Sequence, residues 1–206
     1  MAKVTKKAPK SVPPGRPKAF DPDVALDAAL SVFWERGYEG TSLSDLTKAM
    51  GINKPSLYAT YGDKAELFLK VVDRYTVQQG VVWEQALQEP TARLAVQRIL
   101  DTTADNLTSE KNPHGCLLVQ SALTCSHESD CIKQELALKR ADGDSLLRNR
   151  FARAKADGEI PANVDVAALS RYFSTVLRGM SVEASAGATR QDLENVIDLA
   201  MKAWPV

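Results

Sequence analysis

The side chains best suited to recognition in this 206-residue chain lie in Asn53-Lys54-Pro55-Ser56-Leu57-Tyr58-Ala59-Thr60-Tyr61. At roughly 100° per residue, a helix over this segment sets Leu57 and Tyr61 on one face. Pro55, Ser56, Ala59 and Thr60 fall on the other, flanked by Lys54 and Tyr58. That outward face is short, small and able to donate and accept hydrogen bonds. Such a face fits the major groove of DNA, where base edges carry the sequence code. An ordinary helical hairpin has the same spacing, so the surroundings must decide.

A second group invites reactive chemistry. His114, Cys116, Cys125, His127 and Cys131 are all the cysteines and histidines the chain has. As metal ligands they are badly spaced: on one helix Cys116 and Cys125 would stand about 13 Å apart on opposite faces. Neither H-x-C nor C-x-H is a usual structural-zinc pair, and no metal is expected. His114 and Cys116 suggest a Cys/His enzyme, but neighbours in a turn provide no nucleophile, base and orienting group. A thiol switch fits better. Cys131 would sit in the first turn of a helix beginning near Ser126 or Ser129, where the dipole favours thiolate, and Cys125–Cys131 is a possible disulfide. Small buried hydrophobes remain the alternative reading of the same cysteines.

The elements that must position the recognition face are legible around it. Asp21 followed by Pro22 starts a first helix with inner residues Leu26, Leu30 and Phe33, and Gly37 ends it. Thr41 or Ser42 caps a second helix with Asp45 in its first turn and Leu43, Leu46, Ala49 and Met50 facing inward. Gly51 breaks that helix and Asn53 caps the next, with Pro55 tolerated in its first turn. From Asp63 a longer helix runs to about Gln79, with Leu67, Val71, Tyr75 and Gln78 at three- and four-residue steps. Lys64 at its N-terminus suits a phosphate oxygen.

The run from Phe20 to Leu67 resembles the DNA-binding domain of the tetracycline-repressor (TetR) family. The matching residues are ALDAALSVFWERGYEGTSLSDLTKAMGINKPSLYATYGDKAELF, with a GY-x-x-T lead-in, an LY-x-x-Y recognition helix and a following K-x-x-L. Asn53 and Pro55 stand where the family typically has Ser and Gly or Pro, which implies a different operator sequence and the same class of function. The resemblance implies a homodimer, a double-stranded DNA operator, a small-molecule effector held in the body, and no cofactor. The residues set for DNA are then Arg16, Thr41, Ser42, Lys54, Pro55, Ser56, Tyr58, Thr60, Tyr61 and Lys64.

Charge agrees. The chain is neutral overall, yet residues 1–20 hold six basic side chains and no acid, so the remainder carries −6. A basic arm on an acidic body directs one end towards phosphate. Gly15-Arg16-Pro17 resembles the minor-groove element of AT-hooks, and Arg16 suits a narrow A·T-rich groove. No apolar run approaches the roughly 20 residues that span a bilayer. The start of the chain lacks a signal-peptide core, so a cytoplasmic protein without membrane association is expected.

The expected architecture is all-α: a flexible arm (1–17), a helix-turn-helix DNA-binding domain (18–80), and a helical effector-binding and dimerisation domain (81–206). Body helices are expected at about 91–108, 116–126, 129–157, 165–186 and 190–203. The segment Cys116–Leu123 is apolar almost all round, which predicts a helix buried on every side, with Gln120 as its one long polar group. Trp83, Ile99, Thr103, Cys116, Gln120, Phe151, Tyr172 and Met180 are candidate walls of an effector pocket, though each also fits a plain core, and Gln120 a local backbone bond. Leu169, Phe173, Val176 and Leu177, with Leu193, Ile197 and Met201, form two apolar stripes suited to a four-helix dimer interface. The sequence thus predicts a one-component transcriptional regulator, a repressor released from a palindromic operator by a small molecule. A cysteine-based redox or electrophile sensor is the alternative.

Overall fold

The computed structural model describes residues 20–125 and 129–205. Arg16 with the basic arm, and His127, lie outside the described residues. All regular elements within them are helices: α1 (Pro22–Arg36), α2 (Leu43–Met50), α3 (Lys54–Tyr61), α4 (Lys64–Leu87), α5 (Ala92–Leu107), α6 (Leu117–Thr124), α7 (Asp130–Ala156), α8 (Val166–Ser185) and α9 (Arg190–Lys202).

Local chemistry sets the head. The Asp21 carboxylate accepts from the Asp23 and Val24 amides, starting α1. Ser42 and Asp45 form a reciprocal capping box on α2, Asn53 caps α3, and Asp63 with Glu66 forms a second capping box on α4. Such caps satisfy amides that no helical carbonyl reaches. Gly51, in the left-handed region at φ 64°, supplies the turn between α2 and α3. Ala49, expected to face inward, is exposed; Leu46 and Met50 bury that face of α2.

Long-range pins hold the three-helix unit. Phe33 and Phe68 pack edge to face at 5.0 Å, and the Tyr61 hydroxyl donates to the Pro22 carbonyl at 2.7 Å. The Arg74 guanidinium on α4 grips Asp23 and Asp27 of α1 at 2.7–2.8 Å. The head core does not stop at the head: Leu117 of α6 and Ile132 and Leu136 of α7 are buried in the same cluster.

α4 runs to Leu87 instead of ending near Gln79. It passes through Gly80 because Ala86 is buried in the body core, with Trp83 and Leu87 packed against it. That packing outweighs the roughly 1 kcal/mol a mid-helix glycine costs.

The body core is built round Phe151, Phe173 and Trp204, whose ring centroids lie 5.4–6.1 Å apart. Leu169, Phe173, Leu193, Ile197 and Met201 all belong to this core. They are therefore not a surface left for a partner, because the stripes they form close α8 and α9 onto α5 and α7. Val176 and Leu177 are half-buried. The apolar side chains left exposed on these helices are Tyr172, Val182, Val196 and Leu199, at 40–66%. α6 also departs from expectation. Leu117 and Ser121 are buried, but Leu123 is 71% exposed, since a two-turn helix lying on its neighbours keeps one side in solvent.

Candidate DNA-reading face and ligand cavity

α3 presents Lys54, Pro55, Tyr58 and Ala59 outward, with Ser56 and Thr60 half-buried at its edges. Leu57 and Tyr61 are buried beneath and fix its orientation. Tyr61 is therefore an anchor and not a contact: it is 4% exposed, and its hydroxyl is occupied by Pro22. Thr41 is corrected for the same reason. It is 2% exposed, and its hydroxyl donates to the Gly37 carbonyl at 2.7 Å.

Ser42 is exposed, but its hydroxyl is engaged with the Asp45 carboxylate at 2.6 Å. The Ser42 hydroxyl and then the Ser42 amide hold Asp45 below the usual carboxylate range. Lys64 stands at the start of α4 with its ammonium 4.4 Å from the centre of the Tyr38 ring. Burial lowers its pKa while the Glu39 carboxylate raises it. A partly desolvated cation fixed over a ring is well placed for a phosphate oxygen.

Below the head lies a cavity of about 300 Å³, walled by side chains of α1, α4, α5, α6, α7 and α8 and by the turn at Gly115-Cys116. Trp34 and Tyr75 form one wall, edge to face at 4.9 Å. The Trp34 indole N–H donates to the Gly115 carbonyl at 2.9 Å. The Tyr75 hydroxyl donates to Cys116 Sγ at 3.4 Å, and the Cys116 amide donates to Ser181 Oγ at 2.8 Å. Burial, then the neighbouring thiol, pushes the Tyr75 hydroxyl well up, so it stays a neutral donor. Two glycines in helix interiors, Gly80 of α4 and Gly143 of α7, line the space. A Cβ on Gly80 would meet nothing within 4 Å, and one on Gly143 would meet Trp83 at 3.8 Å.

The cavity wall also carries charge. Arg178 binds both oxygens of Asp144 at 2.6 Å, Lys139 pairs with Asp73 at 2.7 Å, and Arg140 donates to the Leu118 carbonyl at 3.0 Å. Burial works to raise the Asp144 pKa, but the Arg178 and Ser174 interactions outweigh it and hold the carboxyl below its ordinary range.

Of the expected pocket walls, Trp83, Thr103 and Cys116 line this cavity. Ile99, Phe151 and Met180 are body core, and Tyr172 is exposed. Gln120 turns away: its amide donates to the His114 carbonyl at 2.8 Å. Leu177, expected at a dimer interface, is a cavity wall. Sequence reasoning missed Trp34, Tyr75, Arg140 and Arg178. The three-residue step from Tyr75 to Gln78 was visible, but nothing in the sequence marks Trp34 of the head as a wall of the body's cavity.

The three thiols are free. Cys131 is exposed in the first turn of α7. Burial, and then the Glu39 carboxylate, pushes the Cys125 thiol up, which keeps it a thiol. Among the described residues no cluster of three or more His, Cys, Asp or Glu side chains could hold a metal ion, and no helix is long and apolar enough to cross a membrane.

Comparisons with known proteins agree with this geometry. Residues 25–71 match the model of the bacterial regulatory proteins of the tetR family, and residues 90–200 that of the tetracyclin repressor-like C-terminal domain. The chain is 35% identical over 193 residues to the HTH-type transcriptional repressor ComR of Escherichia coli K12, covering 93% of this chain and 92% of ComR. It is 28% identical over 198 residues to the repressor BdcR of the same strain, covering 92% and 91%. Among solved structures it resembles a cysteine-substituted TetR-family regulator, CifR, in complex with 26-base-pair double-strand operator DNA. The TM-score is 0.90 at 42% identity, covering 93% of this chain and all of that one.

Proposed function

Because the chain belongs to the TetR family of bacterial transcriptional regulators, we propose that it is a homodimeric repressor released from a palindromic operator by a small molecule in the cavity. ComR and BdcR are named as repressors, and CifR is bound to operator DNA. A two-fold dimer presents two α3 helices, and helix-turn-helix half-sites lie one DNA turn, about 34 Å, apart.

One observation carries the release mechanism. Trp34 belongs to α1 of the DNA-reading unit, yet it walls the cavity and is hydrogen-bonded to Gly115. A ligand that displaces Trp34 or Tyr75 therefore acts on the reading head without an intermediary. It shifts the balance only if it binds the released and DNA-competent states with different affinities. The alternative is release by cysteine chemistry at Cys125 and Cys131: an exposed Cys131 in the first turn of α7 favours it, and a Cys125 thiol pushed up by burial and Glu39 counts against it.

Filling the cavity is the test. Gly80→Leu places a side chain in open space and replaces a helix-interior glycine, so stability should hold or rise by up to about 1 kcal/mol. Operator affinity should be kept. A compound library is first scored by thermal shift on the wild type, and its binders are then assayed for operator release. Those binders should release the wild type and fail on Gly80→Leu. Binders that occupy the cavity, as shown by their loss in Gly80→Leu, yet leave wild-type operator affinity unchanged would contradict effector release.

A further inference from the structure

Of the three cations on the cavity wall, Lys139, Arg140 and Arg178, two are held in ion pairs. Lys139 is neutralised by Asp73, and Arg178 is neutralised by the bidentate Asp144. Arg140, on the same wall, has no carboxylate within ion-pair distance among the described residues. One of its N–H groups goes to the Leu118 carbonyl, which leaves others of the planar fork to serve a ligand. Asp142, the remaining acid on the wall, is exposed.

Ser174 also lines the cavity. It is 2% exposed, and its hydroxyl has no hydrogen-bond partner at ordinary distance among the described residues, although it lies near enough to Asp144 to help keep that carboxyl ionised. The rest of the lining includes the apolar and aromatic side chains of Trp34, Trp83, Leu107 and Leu118.

From this arrangement we infer that the cavity takes an amphipathic monoanion, its apolar body between Trp34 and Trp83 and its carboxylate on Arg140. The inference rests on the cavity being the effector site, and it assigns that effector a charge. A guanidinium half-buried beside a second guanidinium is poorly solvated and repelled; burial and then Arg178 lower its pKa, outweighing the opposing pull of Cys116 and Asp144. An arriving anion relieves both penalties, whereas a neutral ligand deepens the first. A dianion fits worse, because only one cation is left unmatched and Asp144 stands close by. Arginine's planar fork suits a carboxylate through paired N–H···O bonds.

The experiment uses the full-length protein without DNA and three matched pairs of probes: octanoate and octan-1-ol, phenylacetate and 2-phenylethanol, indole-3-acetate and indole-3-ethanol. Binding is read by calorimetry and thermal shift. At least one acid should bind about tenfold or more tightly than its alcohol. Arg140→Gln should weaken that acid by about 10- to 100-fold and leave the alcohol unchanged, while Arg140→Lys should keep most of the preference. Equal binding of acid and alcohol, no acid binding at all, or a preference that survives Arg140→Gln would each overturn the inference. If Arg140→Gln does not fold, the acid-to-alcohol ratio in the wild type and in Arg140→Lys decides alone. Operator anisotropy with the bound acid keeps the two readings apart: a carboxylate that binds through Arg140 without releasing DNA would sink the effector mechanism and leave the anion site standing.

Discussion

Replacing Tyr58 with alanine is expected to lower specific operator affinity by about 1–3 kcal/mol in each half-site, hence about twice that in a dimer reading both. Tyr58 is 49% exposed on the outward face of α3, beside exposed Lys54 and Pro55. The helix beneath it is immobilised by Leu57 and Tyr61, both buried, so truncating Tyr58 removes a contact without unfolding the head. Lys54→Ala should behave alike for a base contact. Lys64→Ala should weaken specific and scrambled DNA equally and flatten the salt dependence, as loss of a phosphate contact does. Tyr61→Phe is the internal control. It deletes the hydrogen bond to Pro22 and should cost stability of about 1 kcal/mol, leaving the outward face intact. Anisotropy titrations against operator and scrambled duplexes at two salt concentrations separate these outcomes. If Tyr58→Ala and Lys54→Ala both bind operator like the wild type, α3 is not the reading helix.

The second large effect is expected at the outer face of α8 and α9. Tyr172, Val182, Val196 and Leu199 remain 40–66% exposed after the body core has closed. Exposed apolar side chains on two helices that pack together are the candidate association surface. Val182→Glu with Leu199→Glu places two carboxylates in each partner's share of that surface, where desolvating them is costly. The double variant should sediment near the 22.5 kDa of one chain, and the wild type at twice that mass. Its operator affinity should fall by orders of magnitude, because the second half-site is no longer delivered by the same molecule. Neither side chain belongs to the body core, so the circular dichroism spectrum should not change. A double variant that stays dimeric would move the interface elsewhere.

Both substitutions fall where reading of the sequence had mixed success, for physical reasons. The head was legible because its signals are local. Asp21, Ser42, Asn53 and Asp63 each cap the helix that their position announces, and Gly51 takes the left-handed turn that its place demands. Within α3, a period of 3.6 suffices to set Leu57 and Tyr61 inward. That pattern could not say that Tyr61's hydroxyl is committed to Pro22, a residue distant in sequence. Thr41 was obscure for a related reason, since its hydroxyl closes a turn and does not face outward.

In the body the stripes were visible and their destination was not. Leu169, Phe173, Leu193, Ile197 and Met201 step by three and four as an interface would, but a helix apolar on more than one face does not declare which side meets its own chain. The cavity was least legible, because it is made by packing. Trp34 reaches it from α1, Tyr75 from α4 and Arg140 from α7. Phe151 and Met180, equally apolar in sequence, went to the core. Gln120, the most conspicuous polar residue in an apolar run, found a backbone carbonyl six residues back.

The decisive measurement is an anisotropy titration of the full chain on a palindromic duplex taken from the DNA beside its own gene, repeated with a scrambled duplex and with Tyr58→Ala. A dimeric operator-binding regulator should saturate the palindrome with chains in multiples of two and lose affinity steeply with salt. It should also prefer the palindrome over scrambled DNA by about a thousandfold or more, with most of that preference gone in Tyr58→Ala. Equal affinity for palindrome and scrambled DNA across the candidate sites, or a preference untouched by Tyr58→Ala, would contradict the account.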